Sequence, residues 1–408
     1  MNFIMAWRNI WRHPRRSILT IAAIVFATML LVFMLSWQFG AYDTMIDATV
    51  KIHTGHIQIQ AQGYQDQRDM RKVVPDPNEI ERILTSLRGV KSYTFRAEDF
   101  SLVSSENRTY GVLVIGIDPQ KEPSVSTLED MIRRGRFLEA GDRRSALAGE
   151  ILADNLNSPV GGDLVLLGQG RDGSIAATVL TIKGIFNTGQ DEFDRTMIHI
   201  PLEYFQELYN MRGAVHMAVV LCDSLTAVPA VKERIAGALS GIDSSLAVLD
   251  WKELNPGLVQ AIQMDLVSGF IFYLILIIVV AFSIMNTFLM AVFERTREFG
   301  VMMSMGMGPG RLMGLLLMES LGITLIGVVI GTIAGAAVTW YFQIHGMVIP
   351  GAEEVARQFG LPERMFPQLS FLSIAVGAGI VLILTVLSAL YPAFKVKGLK
   401  PVEALSAV

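Results

Sequence analysis

Uncharged apolar residues are concentrated in four long runs of the chain. Residues 17–39 contain no charged side chain, 266–293 contain none, 312–342 contain only Glu319, and 369–394 contain none. About 20 apolar residues are enough for a helix to cross a bilayer, and each of these runs exceeds that length. The pattern therefore predicts four transmembrane helices.

The segment between the first two runs has a different pattern. Short alternating stretches at 56–60 and 110–117 predict strands, and apolar residues at helical spacing predict amphipathic helices at 77–87 and 225–239. Residues 146–156 are also interpreted as a helix, followed by a strand. This mixture predicts a folded α+β domain of about 220 residues, a usual size for one or two compact lobes.

Composition agrees with a membrane protein. Charged residues make up 18% of the chain, below the roughly 25% of a soluble domain, and the mean hydropathy is +0.44. The net charge of −4 gives no indication of a nucleic-acid partner. Cys222 is the single cysteine, so the inserted domain has to be stable without an intrachain disulfide.

Basic residues indicate the orientation of the four spans. Lys and Arg cluster before the first run, between the second and third, and after the fourth, whereas the segment between the third and fourth is balanced by acidic residues. The clusters are Arg8, Arg12, Arg15 and Arg16, then Arg295, Arg297 and Arg311, then Lys395, Lys397 and Lys400. The positive-inside rule then predicts that both termini are cytoplasmic and that the inserted domain is extracytoplasmic.

The sequence lacks several common nucleotide-binding, metal-binding and catalytic motifs. No Gly-Lys dipeptide occurs, which excludes a P-loop of the G-x-x-x-x-G-K-[ST] type, and there is no H-E-x-x-H, paired-cysteine or G-x-S-x-G motif. His53 and His56 have a ligand-like spacing, but strand alternation would place them on opposite faces. Residues 190–194 are interpreted as an exposed acidic turn rather than a calcium site. No catalytic or metal-binding residue is predicted.

Two features within the spans suggest packing or coupling. Glu319 is a costly carboxylate inside a span. Its interpretations are structural pairing with Arg311 or interfacial water, a role in conformational coupling, or a proton relay. Gly327, Gly331 and Gly335 form a ridge of small residues that allows close helix approach. The partner helix is either within the chain or in a second subunit.

The loop between the second and third runs carries mixed charge and then a short amphipathic stretch, "ERTREFGVMMSMGM" (294–307). Gly306 and the following Gly-Pro-Gly sequence would end that stretch before the next span. A short element of this kind suits docking of a cytoplasmic partner. The alternative is a solvated turn that carries only the positive-inside charges.

This loop resembles the coupling segment of FtsX/MacB-type ABC transporter permeases, N-T-x-x-x-x-V-x-E-R-x-R-E-x-G-x-x-x-A-x-G. The matching residues are Asn286, Thr287, Val292, Glu294, Arg295, Arg297, Glu298, Gly300 and Gly306, and Ser304 replaces the usual Ala. The sequences at 6–20 and 391–405 are similar to the family's two ends. Segments 147–167 and 182–194 resemble the lipoprotein-releasing branch, so the LolC/LolE-like group is the nearest.

The resemblance implies a non-catalytic permease subunit of the bacterial inner membrane that binds no cofactor itself. Two copies of an ABC ATPase subunit would bind ATP and Mg, and a second permease chain would form a homo- or heterodimer. The implied cargo is lipoprotein, released for transfer to the outer membrane through a periplasmic carrier. The alternatives are MacB-like efflux of drugs or peptides, and a membrane-anchored sensor or scaffold without transport.

The resemblance also assigns roles to particular residues. Those implied in ATPase coupling are Glu294, Arg295, Arg297, Glu298, Phe299, Gly300, Met303 and Gly306. The expected fold is a membrane α-helical bundle of four transmembrane helices, with a large α+β extracytoplasmic domain inserted between helices 1 and 2. The expected segments are an interfacial helix (1–16), the first span (17–40), the periplasmic domain (41–264), the second span (265–293), the cytoplasmic coupling segment (294–311), the third span (312–342), a periplasmic loop (343–368), the fourth span (369–394) and a cytoplasmic tail (395–408).

Overall fold

The computed structural model describes residues 7–12, 14–106, 108–241, 245–348, 351 and 364–397. The chain divides into two compact units. The helical unit comprises Met1–Tyr42, Ile262–Val348 and Arg364–Val408, and the sheet unit comprises Asp43–Ala261 and Ile349–Glu363. Lys400 and the rest of the predicted tail after residue 397 lie outside the described residues.

The helices and the strands are each numbered in chain order, and their bounds are as follows. The helices are α1 (Pro14–Thr49), α2 (Pro77–Ser86), α3 (Glu150–Asn155), α4 (Asp191–Thr196), α5 (Leu202–Leu208), α6 (Val228–Leu239), α7 (Trp251–Leu254), α8 (Pro256–Glu294), α9 (Thr296–Ser304), α10 (Pro309–His345) and α11 (Phe371–Lys397). The strands are β1 (Ile57–Ala61), β2 (Val90–Ser105), β3 (Arg108–Ile117), β4 (Ile132–Gly135), β5 (Ser145–Gly149), β6 (Asp163–Gln169), β7 (Ile175–Phe186), β8 (Met197–Pro201), β9 (Met217–Cys222) and β10 (Leu246–Asp250).

Among the described residues, four helices are long and apolar enough to cross a membrane, in agreement with the predicted number of spans. They are α1, α8, α10 and α11. A proline opens α1, α8 and α10, where its missing N–H costs nothing because the first turn has no partner for it. Apolar side chains from all four helices form one core: Ile24, Leu31, Ile284, Phe288, Ile323, Val328, Val381 and Ala389.

The sheet unit contains a single ten-stranded sheet among the described residues. The strand order is β10-β1-β9-β2-β3-β8-β5-β7-β4, and β6 pairs with both β2 and β7. Six strands therefore close into a ring, β2-β3-β8-β5-β7-β6, from which β9, β1 and β10 extend. The inserted domain is thus a mixed α/β structure built on this sheet.

Alternation along the strands fills the ring with apolar side chains. In β6, Leu164 and Leu166 are buried whereas Val165 and Leu167 are exposed. Side chains of a strand point alternately to its two faces, so the buried set fills the interior, as in other small barrels. Buried residues from every strand of the ring belong to that core.

One predicted helix is wrong in its first half. Residues 146–149, expected to start a helix, belong to β5, and only Glu150–Asn155 are helical. β5 pairs with β7 and β8, and all five of its residues are buried. A short apolar run of small residues has no periodicity that separates a doubly buried strand from a helix.

The acidic stretch at 190–194 also differs from the prediction of an exposed turn. It lies largely in α4, and Asp194 is buried with 2% of its surface exposed. The Asp194 carboxylate accepts hydrogen bonds from the Thr188 N–H at 2.8 Å and from the Thr188 hydroxyl at 2.9 Å. The residue therefore fastens the loop before α4.

Candidate coupling site between the second and third spans

The predicted coupling segment folds as a separate short helix. α8 ends at Glu294, Arg295 leaves the helical conformation, and α9 starts at Thr296. After α9 the Gly306 N–H donates to the Met303 carbonyl at 3.0 Å, with φ of +96° at Gly306. Glycine adopts this left-handed conformation without steric penalty, which explains why α9 ends there.

Arg295 is the central polar residue of the segment. Its Nη1 donates to both carboxylate oxygens of Glu319 in α10, at 3.1 and 3.0 Å, and its Nε donates to Glu298 Oε2 at 3.3 Å. Arg12 Nη1 lies 3.7 Å from the same Glu298 oxygen. The Arg295 side chain is 7% exposed and that of Glu319 is 16% exposed, so charge-assisted hydrogen bonds form where water screens them weakly.

The geometry gives Glu319 a definite partner. The carboxylate lies against Arg295 and not against Arg311, which was one of the expected partners. A charge within a span is usually paired in this way. Arg295 lies between α8 and α9, so the ion pair connects this junction to the third span.

Phe299 anchors the other side of α9. It is fully buried, and it packs in a cluster with Val292, Leu312, Leu316 and Val396, with Met302, Met303 and Met307 at its edge. The Arg295 guanidinium carbon lies 5.4 Å from the centre of the Phe299 ring. Because these residues come from α8, α10 and α11, α9 is fixed to the ends of three spans.

The opposite face of α9 is exposed. Glu294 and Arg297 are exposed, together with Val301 (44%) and Met305 (75%), and Gly306 follows them. Arg297, Val301 and Met305 are four positions apart and share one side of a helix. Val301 and Met305 were not among the predicted coupling residues, although their spacing from Arg297 was a usable signal. Arg295, Phe299 and Gly300, which were predicted, are instead buried.

The glycine ridge of α10 packs on α1 of the same chain. A Cβ at Gly327 would lie 2.6 Å from Ile24 Cγ2, and one at Gly331 would lie 2.7 Å from Thr28 Cβ. A Cβ at Gly335 would lie 3.1 Å from the Cα of Met29. Only hydrogen fits at Gly327 and Gly331, and a methyl group at Gly335 would require a shift of a few tenths of an ångström, so the ridge sets the separation of the first and third spans.

The exposed face of α9 presents charged and apolar side chains. Across the described residues, no group of three or more His, Cys, Asp and Glu side chains could hold a metal ion. His53 and His56 have separate partners: His53 Nε2 lies 3.6 Å from Glu98 Oε2, and His56 Nδ1 accepts from the Cys222 N–H at 2.9 Å.

Two family models match the chain. The MacB-like periplasmic core domain matches residues 17–238, more than half of the chain, and the FtsX-like permease C-terminal model matches residues 270–401. The chain belongs to the FtsX/MacB-type family of ABC transporter permeases. The second match covers α9, the Arg295–Glu319 pair and the glycine ridge.

Several named permeases are similar to this FtsX/MacB-type permease. The lipoprotein-releasing system transmembrane protein LolC of Xylella fastidiosa (strain 9a5c) is 25% identical over 76% of each chain. LolC of Neisseria meningitidis serogroup B is 22% identical over 84% of this chain and 83% of its own. The macrolide export protein MacB of Nitrosomonas europaea is 25% identical over 82% of this chain but only 50% of its own.

Membership confirms several expectations from the sequence. The protein is a membrane-embedded permease subunit, which is not itself catalytic, of a family whose members work with an ATPase subunit. The inserted domain matches the MacB-like periplasmic core. The roles of individual residues in coupling stay predictions.

Proposed function

We propose that this FtsX/MacB-type permease releases lipoproteins from the bacterial inner membrane for transfer to the outer membrane. The observation that carries the proposal is the similarity to LolC of Xylella fastidiosa, which covers 76% of both chains. The two proteins are thus alike over most of their length.

The proposed orientation places both termini and α9 in the cytoplasm and the sheet unit in the periplasm. The basic residues near α9 and at the start of α1 support it, since Lys and Arg are enriched in cytoplasmic loops. Trp7 and Trp11 are both about half exposed, and amphipathic rings of this kind favour the membrane interface.

The exposed face of α9 is the proposed contact with the ATPase. Glu294, Arg297, Val301 and Met305 offer both charge and apolar surface, while Arg295 and Phe299 hold the helix rigidly from behind. Two ATPase subunits would bind ATP and Mg, and this chain would bind no cofactor. Because α9 is rigidly anchored, a movement of the ATPase would displace the spans instead of bending α9.

Lipoprotein release needs an energy source because acyl chains are stable in lipid. Each buried CH₂ contributes about 0.8 kcal/mol, so extracting several chains costs more than protein binding alone usually provides. A soluble periplasmic carrier is the proposed acceptor. An apolar strip on the outside of the strand ring, formed by Leu102, Val165, Leu167, Ile175 and Val179, is a surface that such a carrier could cover.

MacB-like efflux of drugs or peptides is the second candidate function. The similarity to MacB of Nitrosomonas europaea over 82% of this chain favours it. Efflux would require a periplasmic adaptor or outer-membrane channel rather than a lipoprotein carrier. A sensor or scaffold would require no ATPase.

The proposal is tested on the complex extracted gently from its native membrane. Native mass spectrometry should show two ATPase subunits, two permease chains and bound acylated protein. It would also show whether the second permease is another copy of this chain. ATP should then release lipoprotein from proteoliposomes to a soluble acceptor. An adaptor in place of lipoprotein would favour efflux, and a permease without an ATPase would reject both transport functions.

A further inference from the structure

The helix of the first span ends in an unusual turn inside the sheet unit. α1 reaches Thr49, and Val50–Thr54 continue as a single π-turn, closed by the Gly55 N–H donating to the Val50 carbonyl at 2.8 Å. Gly55 has φ of +68°, and a Cβ there would lie 2.4 Å from Val219 Cγ1. The chain therefore turns tightly against β9 before β1 begins. Such π-turns are rare and are often found at functional sites.

Arg96 of β2 holds the backbone of this turn. Its Nη1 donates to the carbonyl of His53, its Nε donates to Glu122 Oε2 at 3.2 Å, and its Nη2 donates to Glu122 Oε1. Arg96 is 2% exposed and Glu122 is 1% exposed. The ion pair thus lies in the interior of the sheet unit, with the guanidinium aimed at one backbone carbonyl.

Glu98 holds the side chain of the same histidine. It lies two positions after Arg96 on β2, so both side chains point to the same face. Glu98 Oε2 is 3.6 Å from His53 Nε2, while Oε1 accepts from the Tyr64 hydroxyl at 3.1 Å and lies 3.4 Å from Arg68 Nη1. Burial favours a raised pKa for Glu98, but the His53 contact and the charge of Arg68 outweigh it and lower that pKa to about 2. The carboxylate is therefore charged at neutral pH.

These buried charges are a costly way to stabilise a fold. An apolar set of the same volume is often as stable as a buried ion pair, because desolvating the charges offsets their attraction. What the ionic contacts add is a defined position for the groups they hold. Here they define the position of His53, where the first span's helix ends.

We propose that Arg96, Glu98 and Glu122 form a grip on His53 through which movement of α1 is transmitted to the sheet. α1 runs without a break from a candidate span to the π-turn, so turning of that helix displaces His53. Through Arg96 and Glu98 the displacement acts on β2, which pairs with β3, β6 and β9. The proposal rests on the proposed ATP-driven function.

The test uses the permease with its ATPase in lipid nanodiscs. Arg96→Met combined with Glu122→Met removes the ionic hold without leaving either charge unpaired, and Glu98→Gln removes the negative charge that faces both the His53 ring and Arg68. Arg134→Met is the matched control, because it breaks an exposed ion pair of β4 with Glu150 and Asp154. Protection of the Cys222 thiol, which is buried in β9, reports whether the sheet unit stays folded.

Hydrogen exchange of residues 90–105 is then compared with and without ATP and vanadate. Wild type and Arg134→Met should show a nucleotide-dependent change in β2. The grip variants should keep ATPase activity and Cys222 protection but exchange in β2 as in the nucleotide-free complex. If Glu98→Gln and the double variant both retain the nucleotide-dependent exchange change in β2, the proposed grip is wrong. If the double variant unfolds, the result for Glu98→Gln alone decides whether the proposal stands.

Two further outcomes separate this inference from the function on which it rests. A wild-type complex that hydrolyses ATP without any exchange change in β2 overturns the grip and leaves the ATPase partnership intact. A permease that binds no ATPase rejects the proposed function itself, and the grip with it.

Discussion

Arg295 donates from one guanidinium nitrogen to both carboxylate oxygens of Glu319, 24 positions later in the chain, at 3.1 and 3.0 Å. The contact joins the break between α8 and α9 to the third turn of α10. A loop of this kind usually moves independently of the helices it connects. Here the ion pair makes α9 part of the helical unit.

Removing one residue of this ion pair should destabilise the permease more than removing both. Arg295→Met leaves the Glu319 carboxylate without its main partner, and Glu319→Met does the same to Arg295. Loss of one member of a buried pair costs about 3–5 kcal/mol, and the partial exposure of Glu319 favours the lower end. The double variant should recover most of that loss, as measured by unfolding of the detergent-solubilised permease. A double variant that is destabilised by the sum of the two single losses would show that the residues do not interact.

Gly331→Ala should destabilise the bundle. A Cβ at this position would lie 2.7 Å from Thr28 Cβ and from the Val25 carbonyl oxygen, and overpacking of this kind costs about 1–3 kcal/mol. Gly314→Ala in the same helix is the matched control, because the space around Gly314 is open. Thermal unfolding followed by circular dichroism should separate the two variants. Equal melting temperatures would mean that α1 and α10 do not approach closely here.

Arg297→Glu should weaken ATPase binding without unfolding the permease. Arg297 is on the exposed face of α9, and a surface substitution away from special contacts usually changes stability by no more than about 0.5 kcal/mol. Co-purification of the ATPase should fall, and so should its stimulation by the permease. Arg133→Glu makes the same charge change on the exposed surface of the sheet unit and should have no effect. Unchanged co-purification would remove this face of α9 from the docking surface.

The sheet unit should lose stability in mild acid because burial lowers the pKa of two of its histidines, His199 and His216. Burial, and after it the charge of Arg96, holds the pKa of His199 well below its usual value of 6.5, and burial also lowers the pKa of His216. Below about pH 6.5 the unfolded chain therefore binds more protons than the folded one. The free energy of unfolding should fall by up to about 1.4 kcal/mol per pH unit for each residue.

Pulsed labelling of Cys222 measures this loss in the intact permease. The Cys222 thiol is buried, and burial raises its pKa to about 11, so labelling is slow while the unit stays folded. Labelling between pH 7.5 and pH 5, corrected for the unfolded chain at each pH, should accelerate in wild type. The acceleration should be weaker in His199→Leu, and an identical pH dependence would show that His199 does not titrate with unfolding.

Much of the membrane architecture could be predicted from local sequence. Lipid leaves backbone groups without water, so spans must be long apolar helices, and such runs are visible without knowledge of the fold. The end of the second span before Glu294 and the stop at Gly306 were likewise predicted, by charge and by glycine next to an apolar run, whereas the break at Arg295 itself was not. The glycine ridge was recognised as a packing surface because its three residues are regularly spaced within one apolar run. Its partner helix was not predicted.

The tertiary structure alone decided how distant residues meet. Glu319 could be recognised as a costly charge, but its pairing with Arg295 depends on how α9 folds back against α10. Asp194 is an acidic residue and was expected in solvent, yet it is buried, and Thr188 supplies hydrogen bonds to its carboxyl group. Residues 146–149 became a strand because β7 and β8 offered backbone partners on both sides.

The grip on His53 shows most clearly what local sequence could predict and what it could not. The sequence by itself determined that an apolar helix over residues 17–40 is followed by an α+β domain, since hydrophobic runs and strand alternation are properties of neighbouring positions. It did not indicate that Arg96, Glu98 and Glu122, from strands and turns up to 69 positions away, surround His53. Buried charges are stable only with partners, and those partners are brought together by strand pairing across the whole sheet.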